Sequence, residues 1–478
     1  MTEPTQQPQI LYNIPRADQL FDHCACPVER VTPTLADAPQ ASTWRMRDDL
    51  THTTLQSGYH LMFSPTGPAS AVVLNEAALT LLHSYQQPHQ LLEPEAQTLA
   101  ALHLLQPDGD SLQPASFPRA KSLTAWLHLT NACNLNCSYC YINKSGESMD
   151  EATGREALAM LFQQASKWGF ESVKLKYAGG EPTLNFNLLR QLHPFARQLS
   201  RQTGIGFDAV LLTNGVRLTP DMLAFIRQEG IALSISLDGL GDAHDRQRPT
   251  TGGQPSSQRV LRTIDEALQQ GIRPHLTLTI TDINADAIAE VAAFALERGL
   301  YFNLNFYRPP GADGEGMRAA NRRLIDGVMQ VFQVIEAHLP DYDLLPTLID
   351  RASFAAPHAH TCGLGDNYLV IDHHGRIARC HMDMAHPVTN IRDEDPLLAL
   401  RTAPMAHGFG NPAVDEKPEC RNCPWRYWCA GGCPLQASMT SGSAYARSPY
   451  CEVYKAVFPE LLRLQGLKLL REHRVYIH

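Results

Sequence analysis

Between about Leu123 and Tyr307 the chain switches repeatedly between short apolar runs and longer stretches whose apolar residues recur at helical spacing. AWLHLT, VKLKYAG, AVLLTNG, ALSISLDG, PHLTLTI and FNLNFY read as strands. EALAMLFQQASKWG, NLLRQLHPFARQL, DMLAFIRQEG, VLRTIDEALQQG and AIAEVAAFALERG read as the helices between them. Strands that are apolar throughout and alternate with helices predict an α/β fold, a parallel sheet covered by helices. The count of about six β/α units suits a partial barrel better than a closed eight-fold one.

The flanks have other patterns. Residues 1–42 are a polar, Pro-containing lead-in without periodicity, and residues 43–115 predict a small strand-and-helix module. In that module TWRMRDDL, YHLMFSP and SAVVLN read as strands, and EAALTLLHSY and EAQTLAALHLL as helices. The linker PDGDSLQPASFPRA leads into the barrel at 120–317, followed by a helical connector at 318–355. Residues 356–455 are loop-rich and cysteine-rich, opening with a hairpin in CGLGDNYLVIDHHGRIARCHMD, and 456–478 read as an amphipathic helix packed on the body.

Composition narrows the class. At 478 residues, with 44% hydrophobic and 19% charged side chains, the chain reads as an ordinary folded protein rather than a disordered one. A net charge of −9 provides no global basic field for a phosphate backbone, so nucleic acid is not an expected partner. The N-terminus lacks a basic and apolar signal segment, and no uninterrupted apolar run of about 18 residues predicts a membrane span. A cytoplasmic protein is the expectation.

In a reducing compartment, twelve cysteines point to metal binding or catalysis rather than disulfides. Cys133, Cys137 and Cys140 crowd into NACNLNCSYCYI at the C-terminal end of the first barrel strand, the end where parallel α/β folds place their chemistry. Three thiolates are one short of a closed tetrahedral site. A [4Fe-4S] cluster held by three leaves one iron open to a small molecule, whereas a zinc knuckle or a chance cluster is the plainer alternative.

The Cys133-x3-Cys137-x2-Cys140 spacing, with Tyr139 before the last cysteine, resembles the signature of the radical S-adenosylmethionine (radical SAM) superfamily. Gly179-Gly180-Glu181-Pro182 after the second strand resembles that family's GGEP loop, which contacts the SAM amino group. Thr213 and Asn214 end the third strand and Ser236 and Asp238 the fourth, where they are expected to hold the ribose. Arg248 resembles an arginine that pairs with the SAM carboxylate. The resemblance implies reductive cleavage of SAM to methionine and a 5′-deoxyadenosyl radical, with an electron donor such as flavodoxin or ferredoxin.

The C-terminal array, Cys362, Cys380, Cys420-x2-Cys423-x5-Cys429-x3-Cys433 and Cys451, resembles the SPASM domain of radical SAM enzymes that modify peptides and proteins. That resemblance implies two auxiliary [4Fe-4S] clusters, three in all. Cys420, Cys423, Cys429 and Cys451 would hold one, and Cys362, Cys380 and Cys433 the other. A zinc ribbon on Cys420, Cys423, Cys429 and Cys433 is the alternative. Tyr368 stands where some relatives carry a further cysteine, which leaves an open iron or a site closed by His373, His374, His381 or Asp366. His381 and Asp383 follow Cys380 near the place where sulfatase maturases carry an aspartate proton acceptor, and both are candidates for that role.

The N-terminal module resembles the winged-helix element of ribosomal peptide maturases, which takes a leader peptide as an added strand. Cys24 and Cys26 have no expected cofactor role. Together these resemblances imply a maturase that abstracts a hydrogen from a precursor peptide or protein and installs a cross-link. A thioether is the foremost expectation, with a carbon-carbon cyclophane or formylglycine as alternatives. From another class, a zinc-binding scaffold would use the same cysteines.

Overall fold

The computed structural model describes residues 7–13, 43–109, 117, 120–309, 316–404 and 410–475. Cys24, Cys26, most of the lead-in and part of the linker lie outside the described residues.

The N-terminal module contains β1 (Ile10–Tyr12), β2 (Trp44–Met46), β3 (Thr51–Thr54), β4 (Tyr59–Phe63) and β5 (Val72–Asn75). Helices α1 (Glu76–Ser84) and α2 (Pro94–Ala101) and strand β6 (Leu105–Pro107) follow. An antiparallel sheet runs in the order β1-β5-β4-β3, with a separate β2–β6 pair. Three of these strands were not legible in the sequence. β1 lies in the polar lead-in, and the four residues of β3 are polar and exposed, so neither shows an apolar period. β6 takes the end of what reads as one helix, because His103 adopts φ +57 and turns the chain out of α2.

The central body is the alternating unit the pattern predicts. It runs through β7 (Ser122–His128), α3 (Glu151–Trp168), β8 (Ser172–Ala178), α4 (Phe186–Thr203), β9 (Gly206–Thr213) and α5 (Pro220–Glu229). It continues with β10 (Ala232–Ser236), α6 (Asp242–Gln247), α7 (Ser257–Gln269), β11 (His275–Ile280), α8 (Ile288–Glu297), β12 (Phe302–Phe306) and α9 (Asn321–Ala337). The six strands are parallel and lie in sequence order. Helices stop and start where local chemistry dictates. Asp150 accepts from Thr153 N at 2.7 Å to cap α3, and Gly169 ends it at φ +72. A cap of this kind contributes about 1 kcal/mol.

Among the described residues the sheet does not close. Beyond β12 the segment at Leu348–Asp350 runs alongside, with Leu304 N donating to Leu348 O at 2.9 Å. On the other edge the sheet is extended by the cysteine-rich region, which supplies β13 (Tyr368–Ile371), β14 (Arg376–Ala378) and β15 (Thr389–Asn390). β13 pairs in parallel with β7, Tyr368 opposite Thr124 and Ile371 opposite Leu127, so the predicted hairpin belongs to the barrel sheet.

Helices α10 (Pro396–Thr402), α11 (Arg426–Cys429) and α12 (Pro434–Ser441) complete that region before the long α13 (Cys451–Glu472). The tail helix therefore begins at Cys451, ahead of the expected start at 456. It is buried on nearly every side rather than amphipathic, because it packs between α9 and the N-terminal sheet. Gly466 permits that approach: a Cβ there would meet Leu55 Cδ1 at 2.9 Å. Among the described residues no helix is long and apolar enough to cross a membrane.

Candidate functional site

The loop after β7 carries Cys133, Cys137 and Cys140 and is laced to its neighbours by backbone hydrogen bonds. Asn131 N donates to Glu147 O at 2.9 Å, Asn136 N to Pro249 O at 2.7 Å and Ser138 N to Gln247 O at 3.0 Å. Gly180 N and Glu181 N reach Thr130 O at 2.7 Å and Ala132 O at 2.8 Å. A Cβ on Gly180 would stand 2.7 Å from Asn131 O and closer still to Ala132 O. The glycines after β8 are thus required by the close approach of two backbones, in addition to any ligand.

Glu181, 1% exposed, ties the strand ends together. Its carboxylate accepts from Thr183 Oγ1 at 2.6 Å, Thr213 Oγ1 at 2.7 Å, Thr183 N at 3.1 Å and Asn214 N at 2.8 Å. Burial pushes its pKa up, and these donors oppose the shift. Thr213 has given its hydroxyl to Glu181, so its place is structural. Asn214 donates to Asn134 Oδ1 at 2.8 Å and lies 3.9 Å from Cys133 Sγ.

Asp238, fully buried at the end of β10, accepts from Tyr139 OH at 2.6 Å, Gln247 Nε2 at 3.0 Å and Thr279 N at 2.8 Å. Arg248 Nη1 bonds Tyr139 OH and lies 3.4 Å from Asp238 Oδ2. Its Nε is buried without a hydrogen-bond partner, and Ser236 Oγ makes no hydrogen bond among the described residues. Arg248, which interacts electrostatically with Cys137, thus keeps donor capacity for a ligand near the three thiols, and Ser236 keeps its own at the end of β10. Pro182 begins a short 3-10 turn and is buried.

Burial pushes the Cys133 thiol up to about 11 and raises Cys137 as well. Such thiols stay protonated at neutral pH unless a cation offsets the buried charge, which is the condition a thiophilic metal fulfils. The residues present therefore fit a three-thiolate [4Fe-4S] cluster with the unpartnered Arg248 Nε in its neighbourhood.

The C-terminal cysteines form two further groups. Cys380, raised to about 12 by burial, interacts next with Cys433 and also with Cys362. Cys429, also raised to about 12 by burial, interacts with Cys423, Cys420 and Cys451. Cys362 and Cys433 thus lie within electrostatic reach of Cys380, and Cys420, Cys423 and Cys451 within that of Cys429. Lys417, 1% exposed, lies between the groups: burial depresses its ammonium, opposed by Cys420, Cys429, Cys433 and Cys362. Its Nζ donates to Ala430 O at 3.3 Å. Sequence reasoning passed over Lys417, although its position three residues before Cys420 was a signal. Buried cations near thiolates lower the cost of an anionic cluster.

Tyr141, also missed, links the first group to the second. Its hydroxyl is buried and pushed well up by burial, then by Cys140 and Cys380 together. The His381 ring stacks on Trp126 with centroids 4.7 Å apart and bonds Tyr368 OH through Nδ1 at 3.0 Å. Burial, then Arg351, Arg308 and Lys176, hold its pKa well below the usual histidine value. Asp383 instead pairs with His386 at 2.7 Å, and Asp366 with Arg401 at 2.7 Å. His373 and His374 turn toward Glu147. Of the residues weighed as closing the cluster at Cys362, Cys380 and Cys433, each has another partner: His373 and His374 face Glu147, Asp366 pairs with Arg401, and His381 bonds Tyr368.

Residues 127–295 match the family model described as the radical SAM superfamily. The chain carries a radical SAM domain. Among curated relatives, an uncharacterized protein of Methanocaldococcus jannaschii is 29% identical over 175 residues, 36% of this chain and 58% of that one. The sporulation killing factor maturation protein SkfB of Bacillus subtilis is 27% identical over 199 residues, 41% of this chain and 45% of that one. The chain thus spans about half the length of these two relatives. A serine-type anaerobic sulfatase-maturating enzyme of Klebsiella aerogenes is 25% identical over 375 residues, 71% of this chain and 87% of that one. The solved structure "Native anSMEcpe with bound AdoMet and Cp18Cys peptide" superposes with a TM-score of 0.61 at 18% identity, covering 73% of this chain and 99% of that one. That likeness shows the same fold around the radical SAM domain.

Proposed function

We propose that this radical SAM enzyme is a peptide maturase that cross-links a ribosomally made precursor, forming a thioether. The observation that supports the reading is Tyr141, half-buried with its ring 5.5 Å from that of His381 and its hydroxyl within electrostatic reach of both Cys140 and Cys380, because a substrate there would lie near the first and second cysteine groups at once. The relatives named for maturation of a sporulation killing factor and of sulfatases support a polypeptide substrate.

Cys133, Cys137 and Cys140 would hold the SAM-binding cluster, Cys362, Cys380 and Cys433 one auxiliary cluster, and Cys420, Cys423, Cys429 and Cys451 the other. When bound, these groups supply hydrogen-atom abstraction from an unactivated C–H bond and an acceptor for the electron released as the new bond forms. Arg248 would meet the methionyl carboxylate through its unpartnered Nε, and Ser236 a ribose hydroxyl. Glu181 positions Asn214 and Thr213, while Asp238 fixes Tyr139 and Arg248. His381 and Asp383 are the candidates to take the proton of a substrate thiol: Asp383 pairs with His386, and His381, kept neutral by burial and nearby cations, is a weak base.

In the N-terminal module, β3 pairs only with β4 among the described residues, and its four exposed residues offer an edge for a leader strand. This module, the barrel, the connector, the cysteine-rich domain and the tail helix are the proposed division of the chain. A cytoplasmic setting with a flavodoxin- or ferredoxin-type donor completes the reading.

The test is anaerobic reconstitution followed by mass spectrometry of a leader-bearing peptide. About twelve irons per chain and loss of two hydrogen atoms from thiol-containing peptides are expected. The same loss from a Cys-free peptide refutes the thioether and favours a carbon-carbon link. Conversion of serine or cysteine to formylglycine is the second reading, favoured by the 25% identity to the sulfatase-maturating enzyme. Zinc in place of iron defeats the enzyme reading.

A further inference from the structure

Glu147, His373 and His374 converge at the C-terminal end of β7, although more than two hundred residues separate the carboxylate from the histidines. Glu147 ends the loop that carries the first three cysteines. Its carbonyl accepts from Asn131 N at 2.9 Å and Thr130 Oγ1 at 3.0 Å, so the backbone here is fixed. His373 and His374 occupy the turn between β13 and β14, which is pinned by Asp372 Oδ1 accepting from His374 N at 3.0 Å and Arg376 N at 2.9 Å. Because β13 pairs with β7, that turn overhangs the cysteine loop.

The distances are informative. His373 Nε2 lies 3.5 Å from Glu147 Oε2, and His374 Nε2 lies 3.6 Å from Glu147 Oε1. A charge-assisted hydrogen bond would bring such atoms to about 2.7–2.9 Å. Two ligands of one tetrahedral zinc, with bonds of about 2.0–2.1 Å, stand about 3.3–3.4 Å apart. The three groups are therefore spaced as co-ligands rather than as bonded partners. His373 is 6% exposed and neither ring nitrogen has a hydrogen-bond partner at ordinary length, an unfavourable state that a bound ion would relieve. Burial and then His374 lower its pKa, which keeps the ring neutral and able to ligate. Glu147 Oε2 also accepts from Ser145 Oγ at 3.0 Å, which orients the carboxylate.

We propose that Glu147, His373 and His374 form a binding site for a divalent transition ion of the zinc class, distinct from all three cysteine groups. Two imidazoles and one carboxylate suit such a borderline ion, and half-exposed His374 leaves a fourth position for water. Bound there, the ion clips the cysteine loop after β7 to the hairpin that leads into Cys380, and so fixes the first cysteine group relative to the second. The inference stands whether or not the cross-linking reading holds.

The experiment is zinc binding to anaerobically reconstituted protein whose iron and sulfide have been counted, by equilibrium dialysis and elemental analysis. Wild type is compared with His374→Gln, with the double variant His373→Gln/His374→Gln, and with His386→Gln as a control. The expected result is one more zinc in wild type and in the control than in the double variant, with unchanged iron. His374→Gln is expected to weaken binding beyond the ~100-fold cost of losing a supporting partner. Cobalt added in place of zinc should give a wild-type minus variant spectrum with ligand-field bands and no thiolate charge-transfer band. Equal zinc in wild type and double variant, or a thiolate band in the difference, overturns the site. Failure to load iron would defeat the cluster reading alone, because wild type and variants carry the same cysteines and the zinc difference is still read.

Discussion

Gly180→Ala tests whether the loop after β8 positions the cysteine loop by direct backbone contact. The new Cβ would sit 2.7 Å from Asn131 O and nearer to Ala132 O, so these carbonyls must retreat by at least about 0.3–0.7 Å to reach tolerated contact. Overpacking of this kind costs about 1–3 kcal/mol, and loosening the bond from Glu181 N to Ala132 O adds up to about 1 kcal/mol more. The expected loss is about 2–4 kcal/mol in denaturant unfolding. Both carbonyls belong to residues just before Cys133, so iron retention should fall, and the remaining loaded protein should cleave SAM up to ~10²-fold more slowly. Gly204→Ala is the control: that residue has φ +74 with nothing within 4 Å of a new Cβ. It should cost about 1–2 kcal/mol of backbone strain and leave iron content and SAM cleavage alone. Wild-type stability, iron and SAM turnover in Gly180→Ala would refute the argument.

Acid should destabilise the fold through buried neutral histidines. His244 is pushed down to about 4 and His275 to about 3, burial being the main cause. A depressed folded pKa means the stability is present above the unfolded value of about 6.5 and lost as pH falls toward the folded value. Between pH 7 and 5 each should cost up to about 2 kcal/mol, read from denaturant midpoints, and His275→Gln should flatten the dependence. Lys417→Met removes a buried cation between the two C-terminal cysteine groups, so redox titration followed by electron paramagnetic resonance should show more negative auxiliary potentials; an unchanged potential would count against its placement. Proline at His52 or Thr53, one of which directs its N–H outward from β3, should weaken leader-peptide binding in fluorescence titration without changing iron content.

The cysteine spacing and the β/α alternation were legible because both are local: ligand loops are short, and strands covered on both faces are apolar throughout. The division of the C-terminal cysteines into two sets rests on the SPASM resemblance, not on spacing. β3 escaped notice because an exposed edge strand has no apolar face to display, and β6 because a left-handed His103 leaves no mark in a helical pattern. Glu181 and Thr213 read as ligand contacts from their positions at strand ends. Their hydrogen bonds show that they hold the loops to one another.

By itself, then, the sequence determined the radical SAM resemblance, carried by the spacing of Cys133, Cys137 and Cys140, and it determined the parallel sheet that presents them. Only the tertiary structure decided which distant groups share a space. The pairing of β13 with β7 carries Cys380 to Tyr141 and the His373–His374 turn to Glu147. The physical reason is that strand pairing across a long separation is set by which edge is left unfilled when the six-stranded sheet fails to close, and no local pattern records that choice.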